Sequence, residues 1–432
     1  MNVETPNLVD KQVVEERSRQ ANEPKWLTEA RLEALAAVSS LPLPRPERTD
    51  IRQWNFTAFE PFAAEPAVGS IGELPEEIRE FLFEGGQGVI VQKNASVIYS
   101  ERSEELAAKG VIFTDLVTAA REHEEWVKTF FMTEGVKRDE HKLTALHAAL
   151  TTGGLFVHVP KNTEVTGTLQ GLFWLNNPGN GIVPHVIVSA EPGSRLDLVL
   201  GFVGTGDAGV NNAVIEVFVG ENAEVRVATV NNLGKDTVDA TWRRSVVKKD
   251  GRLEWIIADL SSGRVLSDNT VRLVEKGGTV RIKGVTFGAG SMRANVTNAV
   301  YHHGEHTESD IHVRSVMKDE ASSIVNSITK IEKGARKSDG QQSSKVLMLN
   351  PKARGDANPI LLIDENDVKA GHAASVGRID PIQLYYLMSR GIPQAEAEKL
   401  IINGFLDAVI SEIPSEALRE RIHRVIERKF RS

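Results

Sequence analysis

Across 432 residues there is no cysteine. That absence removes disulfides, zinc-thiolate centres, thiol catalysis and any iron-sulfur site built wholly from the chain's own cysteines. No apolar run approaches the length of a membrane span. The polar opening MNVETPNLVDKQVVEERSRQ lacks the basic segment and apolar core of a signal peptide, so the expectation is a cytoplasmic protein away from membranes. Positive charge is not in excess either. With 51 Lys and Arg against 59 Asp and Glu, the formal net charge is -8, which argues against nucleic-acid partners and leaves proteins or small species. Phosphate loops are missing: Gly334 to Gly340 lacks a following Lys-Ser/Thr, and the glycines at 201–206 and 288–290 do not complete G-x-G-x-x-G. The chain is not expected to hydrolyse ATP alone. It also has no G-x-S-x-G nucleophile elbow.

What is present divides into three parts. A length of 432 residues with 41% hydrophobic content exceeds one ordinary compact core. Residues 1–150 read as a mainly helical unit. Lys11 to Ser40 is rich in alanine and glutamate, with Leu27, Leu32, Leu35 and Val38 at mixed spacings, and predicts helix until LPLPRPERTD ends it. Trp54, Phe56 and Phe59 follow as an anchor packing this unit on the rest. GGQGVIVQKNASVIYS at 85–100 reads as a hairpin turning at Lys93-Asn94-Ala95, and helical patterns recur at Ser103 to Ala108, Asp115 to Thr129 and Asp139 to Leu150.

From 151 to 378 the chain repeats a phrase: apolar alternation, a charged or glycine turn, alternation again. VPKNTEVTG, VSAEPGSRLDL, VFVGENAEVRV, VVKKDGRLEWI and LVEKGGTVRI align on Val165, Leu196, Val225, Leu253 and Val280, at steps of 31, 29, 28 and 27 residues. Such self-similarity marks a stacked architecture. The intervals hold glycine, asparagine and β-branched residues with no helical period, which excludes βαβ units and predicts a mainly β fold, a right-handed parallel β-helix, over a sandwich. Inward rows should include Val165, Val225 and Val280, with the flanking helical units as end caps. Residues 379–432 read as three helices, the first capped by Asp380 with Pro381 at its first position and stopped by Gly391. The second puts Ala397, Leu400, Ile401, Phe405, Ala408 and Val409 on one face, to be packed internally or given to a partner.

Two histidine features carry candidate chemistry. YHHGEHTESDIH sets His302, His303, His306 and His312 among Glu305, Glu308 and Asp310; in an extended chain His302 and His306 would share a face, a donor set suited to zinc or iron. The spacing matches no compact metal motif, and surface histidines on β coils are the plainer reading. The other feature is His372, flanked by Gly371 and Ala373, where strands give way to helices. On the residues alone it is a coil-end histidine satisfied by backbone. A scaffold subunit, a β-helix carbohydrate-active enzyme and a histidine-based metal-binding protein all remain open.

The stretch from Lys345 to Pro393 resembles the C-terminal core of the SufB/SufD family of iron-sulfur cluster assembly proteins. Asp367-Val368-Lys369, His372, Ala374 and Gly377 match the last β segment, with Ser375 in place of Thr. Ile379-Asp380, Tyr385-Tyr386 and Ser389-Arg390-Gly391-Ile392 match the helix after it, and Thr307 and Ser309 resemble a structural T-x-S strand motif. Three departures point to the SufD-like branch over the SufB-like one: Ser343 stands at a cysteine position, Ala373 where SufB-like chains have Glu, and Ala370 where some SufD-like chains have cysteine. The resemblance implies a non-catalytic scaffold that pairs with a SufB-like paralogue and binds a SufC-type ABC ATPase at the C-terminal helices, with a homodimer open to the isolated chain. It implies His372 as a metal ligand at the paired site. The cofactor implied is an iron-sulfur cluster, transient and shared with the partner subunit, with none bound stably alone.

Overall fold

A computed structural model describes residues 10–431 except 58, 60, 61, 63, 84, 85, 177, 178 and 414. Its helices are α1 (Lys11–Gln20), α2 (Lys25–Val38), α3 (Glu76–Arg79), α4 (Glu104–Ala108), α5 (Leu116–Glu122), α6 (Glu124–Phe130), α7 (Lys142–Leu150), α8 (Pro381–Ser389), α9 (Gln394–Ile410) and α10 (Glu416–Arg431). The first strands are β1 (Gly88–Lys93), β2 (Ser96–Arg102), β3 (Ile112–Asp115), β4 (Gly153–Val159), β5 (Glu164–Leu175), β6 (Gly181–Ile182), β7 (Pro184–Ala190), β8 (Arg195–Gly204), β9 (Ala208–Val219) and β10 (Glu224–Asn232). The rest are β11 (Asp236–Val247), β12 (Arg252–Asp259), β13 (Arg264–Leu273), β14 (Thr279–Gly288), β15 (Arg293–His302), β16 (Glu308–Met317), β17 (Ser322–Ile331), β18 (Asp339–Met348), β19 (Arg354–Ile363) and β20 (Lys369–Arg378).

From β7 to β20 successive strands alternate between two sheets. Sheet A runs β2-β1-β5-β8-β10-β12-β14-β16-β18-β20, and sheet B runs β19-β17-β15-β13-β11-β9-β7-β4-β3. Every solenoid strand pairs in parallel with the strand one coil on, as in β10 with β12 and β11 with β13. The product is a β-solenoid of about eight turns, not a sandwich of hairpins.

The repeat phrase is the corner from sheet B to sheet A. Leu196, Val225, Leu253 and Val280 lie side by side across β8, β10, β12 and β14, in the order read from the sequence. Val165 is set off from this row by a register shift between Glu164 and Thr168, yet it still faces the interior with Val225 and Val280. Seven successive corners, from β4–β5 to β17–β18, contain a left-handed residue: Asn162, Gly193, Asn222, Asp250, Gly277, His306 and Lys337 all have φ between 53° and 75°. Their backbone N–H groups donate to the next corner, Asn222 to Lys249, Asp250 to Lys276 and His306 to Arg336. Glycine gives the stack room at two of these positions, since a Cβ on Gly193 would lie 2.4 Å from Asn162 Oδ1 and one on Gly277 2.0 Å from Asp250 Oδ1. A β-branched residue at φ near +54° is strained, so Asn222→Val is expected to cost about 1–3 kcal/mol and Asn222→Gly much less. Paired denaturant midpoints check this, and equal midpoints would refute it.

The helical parts do not cap the ends. Both outer faces of the solenoid are apolar and need cover. On sheet B, Phe156, Ile187, Val214 and Trp242 pack under Leu27, Ala34, Leu146 and Leu150 of α2 and α7. On sheet A, Val199, Ala228, Ile256 and Val285 lie under Ile402, Leu406, Ile422 and Val425 of α9 and α10. The first end is closed instead by strands: the β1–β2 hairpin and β3 extend the two sheets beyond β5 and β4. The expected hairpin thus forms, with Asn94 at φ 48° in its turn. The aromatic anchor also forms. Phe56 and Phe59 are buried against sheet B, Phe59 over Gly181, where a Cβ would fall 2.0 Å from the ring.

Two helical expectations were too long. The pattern from Lys11 to Ser40 is split by Ala21–Pro24, where Asn22 has φ 50° and Pro24 has no N–H for a continuing helix. The pattern from Asp115 to Thr129 breaks at His123 into α5 and α6.

Candidate functional site

The C-terminal end of the solenoid is bare. In β18, Gln342 and Val346 are buried in the inward row, whereas Leu347 belongs to the outer cluster. Register places His372 beside Gln342, and Ala370, Ala374 and Val376 beside Gly340, Ser344 and Val346. His372 therefore stands in the inward row of the last coil. No further coil covers it among the described residues, so it is exposed. Ser343 and Ala373 occupy the opposite face of sheet A, Ser343 beside His312. The positions of the three sequence departures are thus divided: Ala370 shares the row of His372, and Ser343 does not.

Below His372 the interior is polar. Gln342 Nε2 donates to Thr329 Oγ1 (2.7 Å) and to the Ile360 carbonyl (3.1 Å), and the Ser327 and Ser344 hydroxyls meet at 2.8 Å. His302 lies here too, fully buried, with Nδ1 2.8 Å from Thr307 Oγ1 and Nε2 2.8 Å from Ser309 Oγ. Burial pushes its ring down to about 4, so it is neutral with both nitrogens committed. Thr307 and Ser309 accordingly have the structural role given to the T-x-S motif.

The four-histidine segment does not assemble. His306 is a left-handed corner residue, not a strand residue, so it shares no face with His302. His303 is exposed, and His312 pairs on the outer face with Asp310 at 3.0 Å, whose carboxylate raises its pKa. Among the described residues no three His, Asp or Glu side chains are placed to share a metal ion. A neutral imidazole at His372 can ligate iron. With no group of three such ligands among the described residues, a complete site at His372 would need donors from elsewhere.

Beyond β20 the first helix forms as read: Asp380 caps it by accepting from the Ile382 N–H at 2.8 Å, Pro381 opens it, and Gly391 at φ 87° ends it. None of its residues is buried. Ile382 is 76% exposed and Tyr385 72%, with Tyr386, Met388 and Leu400 of α9 also open, an apolar group contiguous in sequence with the bare end. The α9 face, by contrast, is spent internally. Ala397, Ile402, Leu406 and Val409 are buried, and α9 packs on β14 and β16, leaving Leu400 and Ala408 outside. Of the two outcomes the sequence left open for this face, internal packing is the one observed, and the exposed apolar side chains lie mostly on α8. Leu362, Ile363 and Val376 add exposed apolar area on β19 and β20.

Comparison with known proteins bears on this end directly. The SufBD core domain of the SUF system for iron-sulfur cluster assembly matches residues 173–405, which include the bare end and α8, and the SufBD N-terminal region matches 87–170. The chain belongs to the SufB/SufD family. It is 43% identical over 437 residues to the iron-sulfur cluster assembly protein SufD of Bacillus subtilis, covering 100% of both chains. It is also 28% identical to an iron-sulfur cluster assembly SufBD family protein of Staphylococcus haemolyticus, over 94% of this chain and 89% of that one. A relative in Staphylococcus saprophyticus is 27% identical over the same shares. Full-length likeness to a SufD agrees with the branch that the missing cysteines indicated. Among the described residues no helix is long and apolar enough to cross a membrane.

Proposed function

We propose that this chain is a non-catalytic, cytoplasmic scaffold subunit of a SufBCD-type complex. It pairs with a SufB-like paralogue across the bare end of the solenoid and carries a SufC-type ABC ATPase on α8. The observation that supports this reading is the unpartnered apolar surface at one end, where Leu362, Ile363 and Val376 border an inward row open at His372. Unpaired β19 and β20 edges invite strand addition, and an edge of this kind left in solvent is otherwise a liability. The iron-sulfur cluster is the cargo. His372 contributes one ligand, and the thiolates come from the paralogue, since this chain has none.

The ATPase part is tested at Tyr385. Deleting 380–432 would be uninformative, because it strips α9 and α10 from the outer face of sheet A. Tyr385→Ala leaves that face covered. As an aromatic anchor it should weaken capture of the ATPase by about 2 kcal/mol, roughly thirtyfold, with an unchanged melting temperature. Undiminished capture would move the dock off α8.

A further inference from the structure

The outer face of sheet B holds a chain of ionisable groups that the assembly reading does not use. His147 on α7, His185 on β7 and Glu216 on β9 are all fully buried. His147 Nδ1 lies 2.8 Å from the Asn212 carbonyl oxygen, His147 Nε2 3.0 Å from His185 Nδ1, and His185 Nε2 2.9 Å from Glu216 Oε2. Glu216 also accepts the backbone N–H of Met132 at Oε2 and that of Val136 at Oε1, both at 2.9 Å. The chain spans a seam: His185 and Glu216 belong to the solenoid, whereas His147, Met132 and Val136 belong to the segments packed on it.

Counting hydrogens fixes the state of this chain. Three contacts need three hydrogens. The Asn212 carbonyl only accepts, so His147 carries its hydrogen on Nδ1 and its Nε2 accepts; His185 must then donate from Nδ1, and its Nε2 accepts in turn. Two neutral rings supply two hydrogens. The third is an additional proton at the Glu216–His185 contact. Without it, changing tautomers only relocates the gap, and one contact always sets acceptor against acceptor. A buried mismatch of that kind costs about 1–3 kcal/mol.

We propose that His147, His185 and Glu216 form a one-proton latch: a proton held by Glu216 toward His185 fastens the α6–α7 connection and α7 to the solenoid, and its loss loosens them. Burial supports the placement, pushing the Glu216 carboxyl up to about 8 against the pull of its two backbone N–H donors, and the His185 ring down to about 3. The His147 ring is likewise driven well down by burial.

Most of the surrounding charges are paired with one another. Arg31 on α2 is paired with Glu23, and Arg244 on β11 with Glu140 and Asp268. In the α6–α7 connection, Glu134 faces Arg272 and Arg138 faces Glu33; Lys137 and Asp139 lie on the same connection, and the His141 ring rests on Trp242. The Phe131 ring closes over His185 at 4.6 Å.

The direction with pH follows from proton uptake. A carboxyl whose closed-state value is raised binds a proton that the open state releases, so closure weakens as pH climbs to about 8 and is flat above. The depressed imidazoles oppose this below about pH 6.5, where the open state takes up protons that the closed state refuses. Closure is therefore strongest near about pH 6.5.

Hydrogen exchange on the intact chain tests this, read at residues 131–150 and corrected for intrinsic chemical exchange. Protection should fall by up to about tenfold per pH unit from about 6.5 to about 8, then level off. In Glu216→Gln the amide supplies the third hydrogen at every pH, so the alkaline loss should vanish, from a lower baseline because one backbone N–H loses its acceptor. Flat protection in the wild type, or the same slope in the variant, overturns the latch. A wild-type measurement guards against a variant that does not fold: infrared difference spectra should show a buried carboxylic acid band disappearing across the same range. No such band also overturns the proposal.

Discussion

Arg243→Ala is expected to cost about 3–5 kcal/mol, a larger loss of stability than that expected of Asn222→Val. Arg243 projects from β11 into the solenoid interior, fully buried. Its guanidinium donates to Ser267 Oγ (2.8 Å), Thr229 Oγ1 (3.0 Å) and Asn231 Oδ1 (3.3 Å), and lies 3.8 Å from Asp259 Oδ1. Nearby Asp239 accepts from Asn211 (2.8 Å), Asn231 (3.1 Å) and Ser261 (2.6 Å). Removing the cation leaves the buried Asp239 and Asp259 carboxyl groups without their positive charge, with a cavity beside them.

The loss should depend on pH. Burial pushes Asp259 up to about 6, and Arg243 is what limits the rise. A raised carboxyl binds a proton on folding, so its contribution declines as pH climbs from its unfolded value of about 3.9 through the folded one. Without Arg243 the folded value is higher and the decline runs further. The variant should thus differ less from wild type at about pH 5 than at about pH 8. The double change Arg243→Met with Asp259→Leu should recover much of the loss, because desolvation of the pair disappears with it. A cost under about 1 kcal/mol for Arg243→Ala at neutral pH would show that the pair does not hold the interior together.

This cluster was not legible as such. The sequence TVDATWRRSVV shows alternation, but Val238, Ala240 and Trp242 face the helices while Asp239, Thr241 and Arg243 face inward. When both faces of a strand are buried, alternation says which residues share a face and not which face is the core. The clue was that polar residues recur at the same inward phase, Asn211, Asp239 and Ser267 among them. The corners were legible because their chemistry is local: the first five left-handed positions are Asn, Gly or Asp, and spacing sets the register, whereas His306 and Lys337 fill the same position without that signal. The bare end was not legible: the flanking helices were expected to cap it, and only His372 was singled out near the strand-to-helix junction. Its exposure depends on there being no next coil, which residue patterning expresses only weakly. The latch was invisible because His147, His185 and Glu216 lie 38 and 31 residues apart and meet only when α7 docks on β7 and β9.

His372→Ala should leave the fold and the complex nearly intact while cluster formation falls by at least about tenfold, the scale seen when a metal site loses a supporting group. His372 makes no contact that folding needs: it stands in the last inward row, exposed, with small residues on both sides. Surface changes of this kind shift stability by about 0.5 kcal/mol or less. The isolated chain gives the baseline. Without a cysteine it should take up little iron and sulfide in anaerobic reconstitution, whether or not His372 is present. The complex with a cysteine-bearing paralogue and an ATPase should form cluster with the wild type and not with the variant. His303→Ala is the matched control, since His303 is exposed in a corner and its backbone N–H, which the substitution keeps, donates to the Leu273 carbonyl at 2.9 Å. Full cluster formation with His372→Ala and loss with His303→Ala would transfer the role to the four-histidine segment. It would do so despite His302 being sealed between Thr307 and Ser309, His306 serving as a corner and His312 lying on the other face, and it would then require the partner to rearrange that coil.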